Sequence, residues 1–176
     1  MTSTARRTVA ALALGAALVT TGCATSADRA ATVDGRVITE TELQQATQEI
    51  NRMSPPLVES KVSPSAVLGV LIQAPTLFEV LGPKGAVVSD SVALKKAQEH
   101  GIENPSQATL DVLRFDATIQ GANTSGTVTQ ADGEAFAKKI DALSIKVNPR
   151  YGTYDAKDRQ IKAVTAPWVT LSDAPQ

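Results

Sequence analysis

The chain has 176 residues, 43% of them hydrophobic and 20% charged, an ordinary globular composition that is enough for one domain with a core. A formal net charge of −1, with Lys and Arg scattered along the chain, provides no basic field to hold a polyanion, which excludes nucleic acid as an expected partner. Cys23 is the one cysteine, so no internal disulfide can form.

Residues 1–22 read as an export signal. Arg6 and Arg7 give a positive start, and Val9 to Val19, "VAALALGAALV", is an apolar run of eleven residues, short of the roughly 20 that a membrane span needs. The arginine pair also fits a twin-arginine route, although Thr8 and Val9 after it favour a plain secretory signal. "VTTGCATS" then resembles a bacterial lipobox, with Thr21 and Gly22 before Cys23 and Thr20 standing where Leu is usual. That resemblance implies acylation of Cys23 and a lipid anchor on the extracytoplasmic face of the cell membrane. Residues 23–30 follow as a small, polar tether.

The folded domain is expected over residues 31–176, starting at Ala31. Asp34-Gly35 suits a two-residue hairpin turn, because both central positions of a type I′ turn need positive φ. A helix start follows at once: Thr39 as N-cap, Glu42 closing a capping box, and Ile38 against Leu43 as a staple, with Leu43, Ala46, Ile50 and Met53 on one stripe. Pro55-Pro56 ends that helix, and Ser63-Pro64 opens the next. "SAVLGVLIQAPTLFEVLG" is apolar nearly all round, with Pro75 expected to kink or divide it; Gln73, Pro75 and Glu79 argue against a second membrane span.

Ser89 caps a short third helix that ends at His100-Gly101. Asn104-Pro105 opens a fourth with Ala108, Val112, Phe115 and Ile119 on one stripe, and Thr129 with Asp132 opens a fifth with Phe136, Ile140 and Leu143 expected to face inward. The alternation from Ile145 and again in "RQIKAV" predicts short strands. The fold class is therefore mainly α (α+β), about five helices with a small sheet in which an N-terminal hairpin meets C-terminal strands.

Chemistry is sparse. His100 is the single histidine and sits at a helix end, where a structural role fits. One histidine, one cysteine and dispersed carboxylates form no ligand set, so neither metal nor cofactor is expected and no catalytic residue is assigned. Glu40 and Glu42 are explained by capping, and Gly82 and Gly85 by a turn. Asp155 and Asp158 read as a solvated loop, and Tyr151, Tyr154 and Trp168 as seals of the sheet onto the helices or, less favoured, as a recognition surface.

"ATVDGRVITETEL", through Ala31, Val33, Asp34, Gly35, Ile38, Thr39 and Leu43, resembles the start of the SurA-type chaperone N-terminal domain. "NPRYGTYD", Asn148 to Asp155, resembles a segment near the end of related exported lipoproteins of high-GC Gram-positive bacteria. Nothing in the chain resembles the parvulin isomerase module of two-domain members. The resemblance implies a non-catalytic, chaperone-like domain whose helices cradle extended or unfolded polypeptide clients, with Leu68, Leu71, Ile72, Leu77 and Phe78 as expected groove residues. The alternative is a structural or adaptor lipoprotein of the cell envelope that binds one folded partner, with the same residues in the core. Exposure of residues 66–81 separates the two.

Overall fold

The computed structural model describes residues 28–163, so the expected export signal, Cys23 and Trp168 lie outside the described residues. Two strands, β1 (Arg29–Val33) and β2 (Arg36–Thr39), precede five helices: α1 (Glu40–Arg52), α2 (Pro64–Leu81), α3 (Asp90–Glu99), α4 (Gln107–Ser125) and α5 (Gln130–Asp141). The strands β3 (Ile145–Val147), β4 (Thr153–Asp155) and β5 (Gln160–Lys162) follow. β1 lies between β2 and β3, antiparallel to both, while β4 and β5 form a separate hairpin. The expected mainly α fold with a small sheet joining the chain ends is thus present.

Local chemistry accounts for the entry into the helices. Asp34 and Gly35 take φ of 47° and 85°, the left-handed pair of a type I′ turn, and close β1 onto β2 with Val33 opposite Arg36. Thr39 caps α1 in a reciprocal box: its hydroxyl accepts from the Glu42 N–H (3.1 Å), and the Glu42 carboxylate accepts from the Thr39 N–H (2.8 Å). Ile38 and Leu43, the staple pair, are both buried. Arg29 and Ala30, expected to belong to the tether, are already in β1. The side chain of Asn148 donates to the Arg29 carbonyl (3.0 Å) and its N–H to that of Ala30 (2.9 Å), which fixes the entry point.

α2 is the central element, packed against α1, α4, α5, β1 and β5, with nine of its residues buried. Segment Pro64–Lys84 is long and apolar enough to cross a membrane by length and composition, and here its apolar character is used by these neighbours. Pro75 was expected to kink or divide this segment; it does not divide it, and one helix runs without interruption from Pro64 to Leu81. A proline lacks the N–H that would bond the carbonyl four residues earlier, which leaves the Leu71 carbonyl without its helical donor. Arg36 from β2 supplies one, its guanidinium Nη2 donating to Leu71 O at 3.0 Å. Pro75 itself is exposed, so its ring faces outward rather than into the packed core.

The apolar stripe of α4 is not its buried face. Thr109, Leu113 and Thr118 form its buried face, whereas Ala108, Val112 and Phe115 are half-buried and Ile119 is exposed. Buried threonines are tolerated because their hydroxyls are bonded: Thr109 donates to the Glu49 carboxylate (2.6 Å), and Thr118 accepts from the Val88 N–H (3.1 Å). Val112, Phe115 and Ile119 of the apolar stripe are left facing a cleft.

Candidate functional site

The cleft lies between α2, α4 and the loop of residues 53–62, with a volume of about 560 Å³. Val112, Phe115 and Ile119 of α4 form one wall and Ala66, Val67 and Val70 of α2 the other, while Leu57 and Val58 overhang from the loop and Ile50 and Leu113 lie beneath. Val58 is 51% exposed and Ile119 37%, so apolar surface continues from the interior onto both rims.

Three polar residues hold this shape. The Asn51 side chain clasps the far end of the loop, accepting from the Val62 N–H (2.8 Å) and donating to its carbonyl (2.9 Å). At the near end, His100 Nδ1 donates to the Pro55 carbonyl (2.5 Å), and its own carbonyl accepts from the Ser54 N–H (2.9 Å). The one histidine is therefore a clasp between α3 and the loop. Glu49, next to Ile50 on α1, ties α1 to the start of α4. Its carboxylate accepts from the Ser106 N–H (2.8 Å), the Ser106 hydroxyl (3.0 Å), Thr109 (2.6 Å) and the Gln45 amide (2.8 Å). Burial alone would raise the Glu49 pKa; the bonds from Thr109, Ser106 and Gln45 outweigh it and hold the carboxyl below its ordinary value.

The charged rim is internally matched. Lys96 lies 3.2 Å from the Asp116 carboxylate, which also accepts from Gln120 (2.8 Å). What the cleft offers a ligand is apolar area with some shape, bordered by polar groups already engaged with one another. Its volume is within the range of small-ligand and side-chain pockets.

The residues expected to form a groove lie elsewhere. Leu68, Leu71, Ile72 and Leu77 are each 5% exposed or less and belong to the core, because α2 is flanked by α1, α4, α5 and strands. Phe78 is half-buried beneath the Arg114 guanidinium, 4.3 Å from its ring centroid. α2 does contribute to the cleft, through Ala66, Val67 and Val70. The α4 wall was visible as an apolar stripe, whereas the loop residues Leu57 and Val58 carried no periodic signal.

The remaining candidates are structural. Tyr151 is buried, donates its hydroxyl to Glu40 and accepts from Gln44 (3.0 Å), and its carbonyl accepts from Ser65 (3.0 Å), so it seals the chain end onto α1 and α2. Burial, and then the Glu40 carboxylate, push the phenol above its ordinary pKa. Asp155 and Asp158 both pair with Lys162 across the β4–β5 turn. Lys162 and the N–H groups of Lys157 and Asp158 lower Asp155 to about 2. Among the described residues no group of three or more His, Cys, Asp or Glu side chains is placed to hold a metal ion. Compared with known proteins, the chain matches no protein-family model, no curated protein and no solved structure.

Proposed function

We propose that the protein is a lipid-anchored, extracytoplasmic client-binding module, a non-catalytic holdase whose cleft takes apolar side chains of extended or unfolded polypeptides. The observation that carries the reading is the cleft itself, lined mainly by apolar side chains that continue onto its rims at Val58 and Ile119. Burying one aliphatic side chain contributes about 1.5–3 kcal/mol, so two or three in the cleft give roughly 6 kcal/mol before association costs. That is the regime of weak, exchanging contact that holding requires, and no nucleotide is needed to drive it. The adaptor reading, one folded partner of the cell envelope, is favoured by the burial of Leu68, Leu71, Ile72 and Leu77.

Light scattering of a denatured client separates the two. The domain is expected to slow aggregation of several unrelated clients at near-stoichiometric ratios without nucleotide. Val58→Asp with Ile119→Asp should abolish the effect while leaving the melting temperature nearly unchanged, because both positions are already exposed. A folded wild-type domain that protects no client would leave the adaptor as the better account.

The anchor has its own test. Two acyl chains hold a protein stably at a membrane where one does not. Cys23→Ser is expected to leave unprocessed precursor or to move the chain out of the membrane fraction. A variant that fractionates and migrates like wild type would overturn lipid attachment at Cys23.

A further inference from the structure

The cleft has an apolar body and one polar edge. Of the fourteen described residues that line it, three carry polar side chains, Lys96, Asp116 and Gln120. These three are gathered at one place where α3 meets α4: Lys96 lies 3.2 Å from the Asp116 carboxylate, which accepts from Gln120 at 2.8 Å. Both walls of the body are helical, so their backbone N–H and C=O groups are used within α2 and α4. A group that enters the body with unmet hydrogen-bonding needs therefore weakens its own binding. An extended polypeptide carries an N–H and a C=O at nearly every residue, so a client can place side chains there only with its backbone outside. An alkyl chain carries no such groups and can enter along its whole length.

We propose that the cleft binds a single-chain lipid with an uncharged hydroxyl head, a monoacylglycerol, its acyl chain in the apolar body and its head at the Lys96–Asp116 edge. Size selects one chain: with a methylene filling roughly the 30 Å³ of a liquid water molecule, a cleft of about 560 Å³ holds one chain of about sixteen to eighteen carbons and not two. Charge selects the head. The edge holds one cation and one anion, with no net charge, and an ammonium with three donors and a carboxylate with several acceptor sites keep capacity beyond the bonds they already make. Glycerol hydroxyls both donate and accept, and so serve both groups. A fatty-acid carboxylate only accepts, and it would stand against Asp116. Clients and lipid then compete for one cleft, a consequence that rests on the client-binding reading. Binding of the lipid does not.

The test is calorimetric titration, without detergent, of the chain from Ala24 to Gln176, which retains every described strand and helix. The probes are octanoyl-, decanoyl- and dodecanoylglycerol, each below the concentration at which it aggregates. Binding is expected at one lipid per chain, tightening about fourfold for each added methylene. Decanoate should bind more weakly than decanoylglycerol. Asp116→Asn should reverse that order, because it leaves the Lys96 charge without its partner. Val58→Asp with Ile119→Asp should weaken every member of the series while the melting temperature stays nearly unchanged. The absence of saturable binding, an affinity indifferent to chain length, or an order of decanoate and decanoylglycerol that Asp116→Asn does not change overturns the proposal, even where unrelated clients are protected. Lipid binding as expected with no client protection instead removes the holdase reading and leaves the lipid site in place.

Discussion

Replacing Glu49 with Ala is expected to lower the unfolding free energy by roughly 3 kcal/mol, because a buried carboxylate that satisfies four donors is removed and those donors keep no partner of equal strength. In a domain of this size the change amounts to a melting temperature lower by on the order of 10 °C. Glu49→Gln should cost less, since it keeps the shape but places an amide where only acceptors fit. Acid should narrow the difference between wild type and Glu49→Ala. The folded carboxyl has a lower pKa than the unfolded one, so the unfolded state takes up protons first as pH falls. The stabilisation is complete above the ordinary glutamate value of about 4.5 and is lost as pH drops through the lower folded value. Denaturant titrations of both proteins at stepped pH read this directly. A gap that stays constant through the acid range would show that the Glu49 charge contributes nothing.

Gly152→Ala is expected to release the β4–β5 hairpin. Gly152 has φ of +120°, a region side chains avoid, and a Cβ there would stand 2.2 Å from the Lys162 carbonyl oxygen and 2.9 Å from its carbon. Both contacts are to backbone, so the strands must part, at a cost on the order of 3 kcal/mol. Hydrogen exchange should rise at the amides of Thr153–Asp155 and Gln160–Lys162 well before global unfolding. Unchanged exchange across the hairpin would mean that the backbone accommodates a side chain at this position.

The elements legible in the sequence are those whose cause is local. Asp34-Gly35, Thr39 with Glu42, Ser63-Pro64 and Thr129 with Asp132 each act within a few residues, and each turn or helix start is where the sequence places it. The facing of α4 was not legible, because the apolar period assumes that polar residues face water. Thr109 and Thr118 are inside since Glu49 and the Val88 N–H, 60 and 30 residues away along the chain, satisfy their hydroxyls. Once threonines take the inner face, Val112, Phe115 and Ile119 turn outward and become a cleft wall. Pro75 is the same lesson in the backbone: its missing donor is replaced from Arg36, 35 residues before the carbonyl that needs it. The all-round apolarity of α2 announced a central helix but could not say which of its faces stays open.

The position of β1 has a mechanical consequence. The N-terminal side of the chain enters the fold at Arg29 as the middle strand of three, with β2 and β3 antiparallel on either side. Tension drawn along that strand does not peel an edge one bond at a time. It shears two ladders together, along with both Asn148 bonds at the point of entry. Forced unfolding is governed by the unfolding rate rather than by equilibrium stability, so a domain of only modest stability can resist a pull from its N-terminal side far better than the same pull applied across β2 alone.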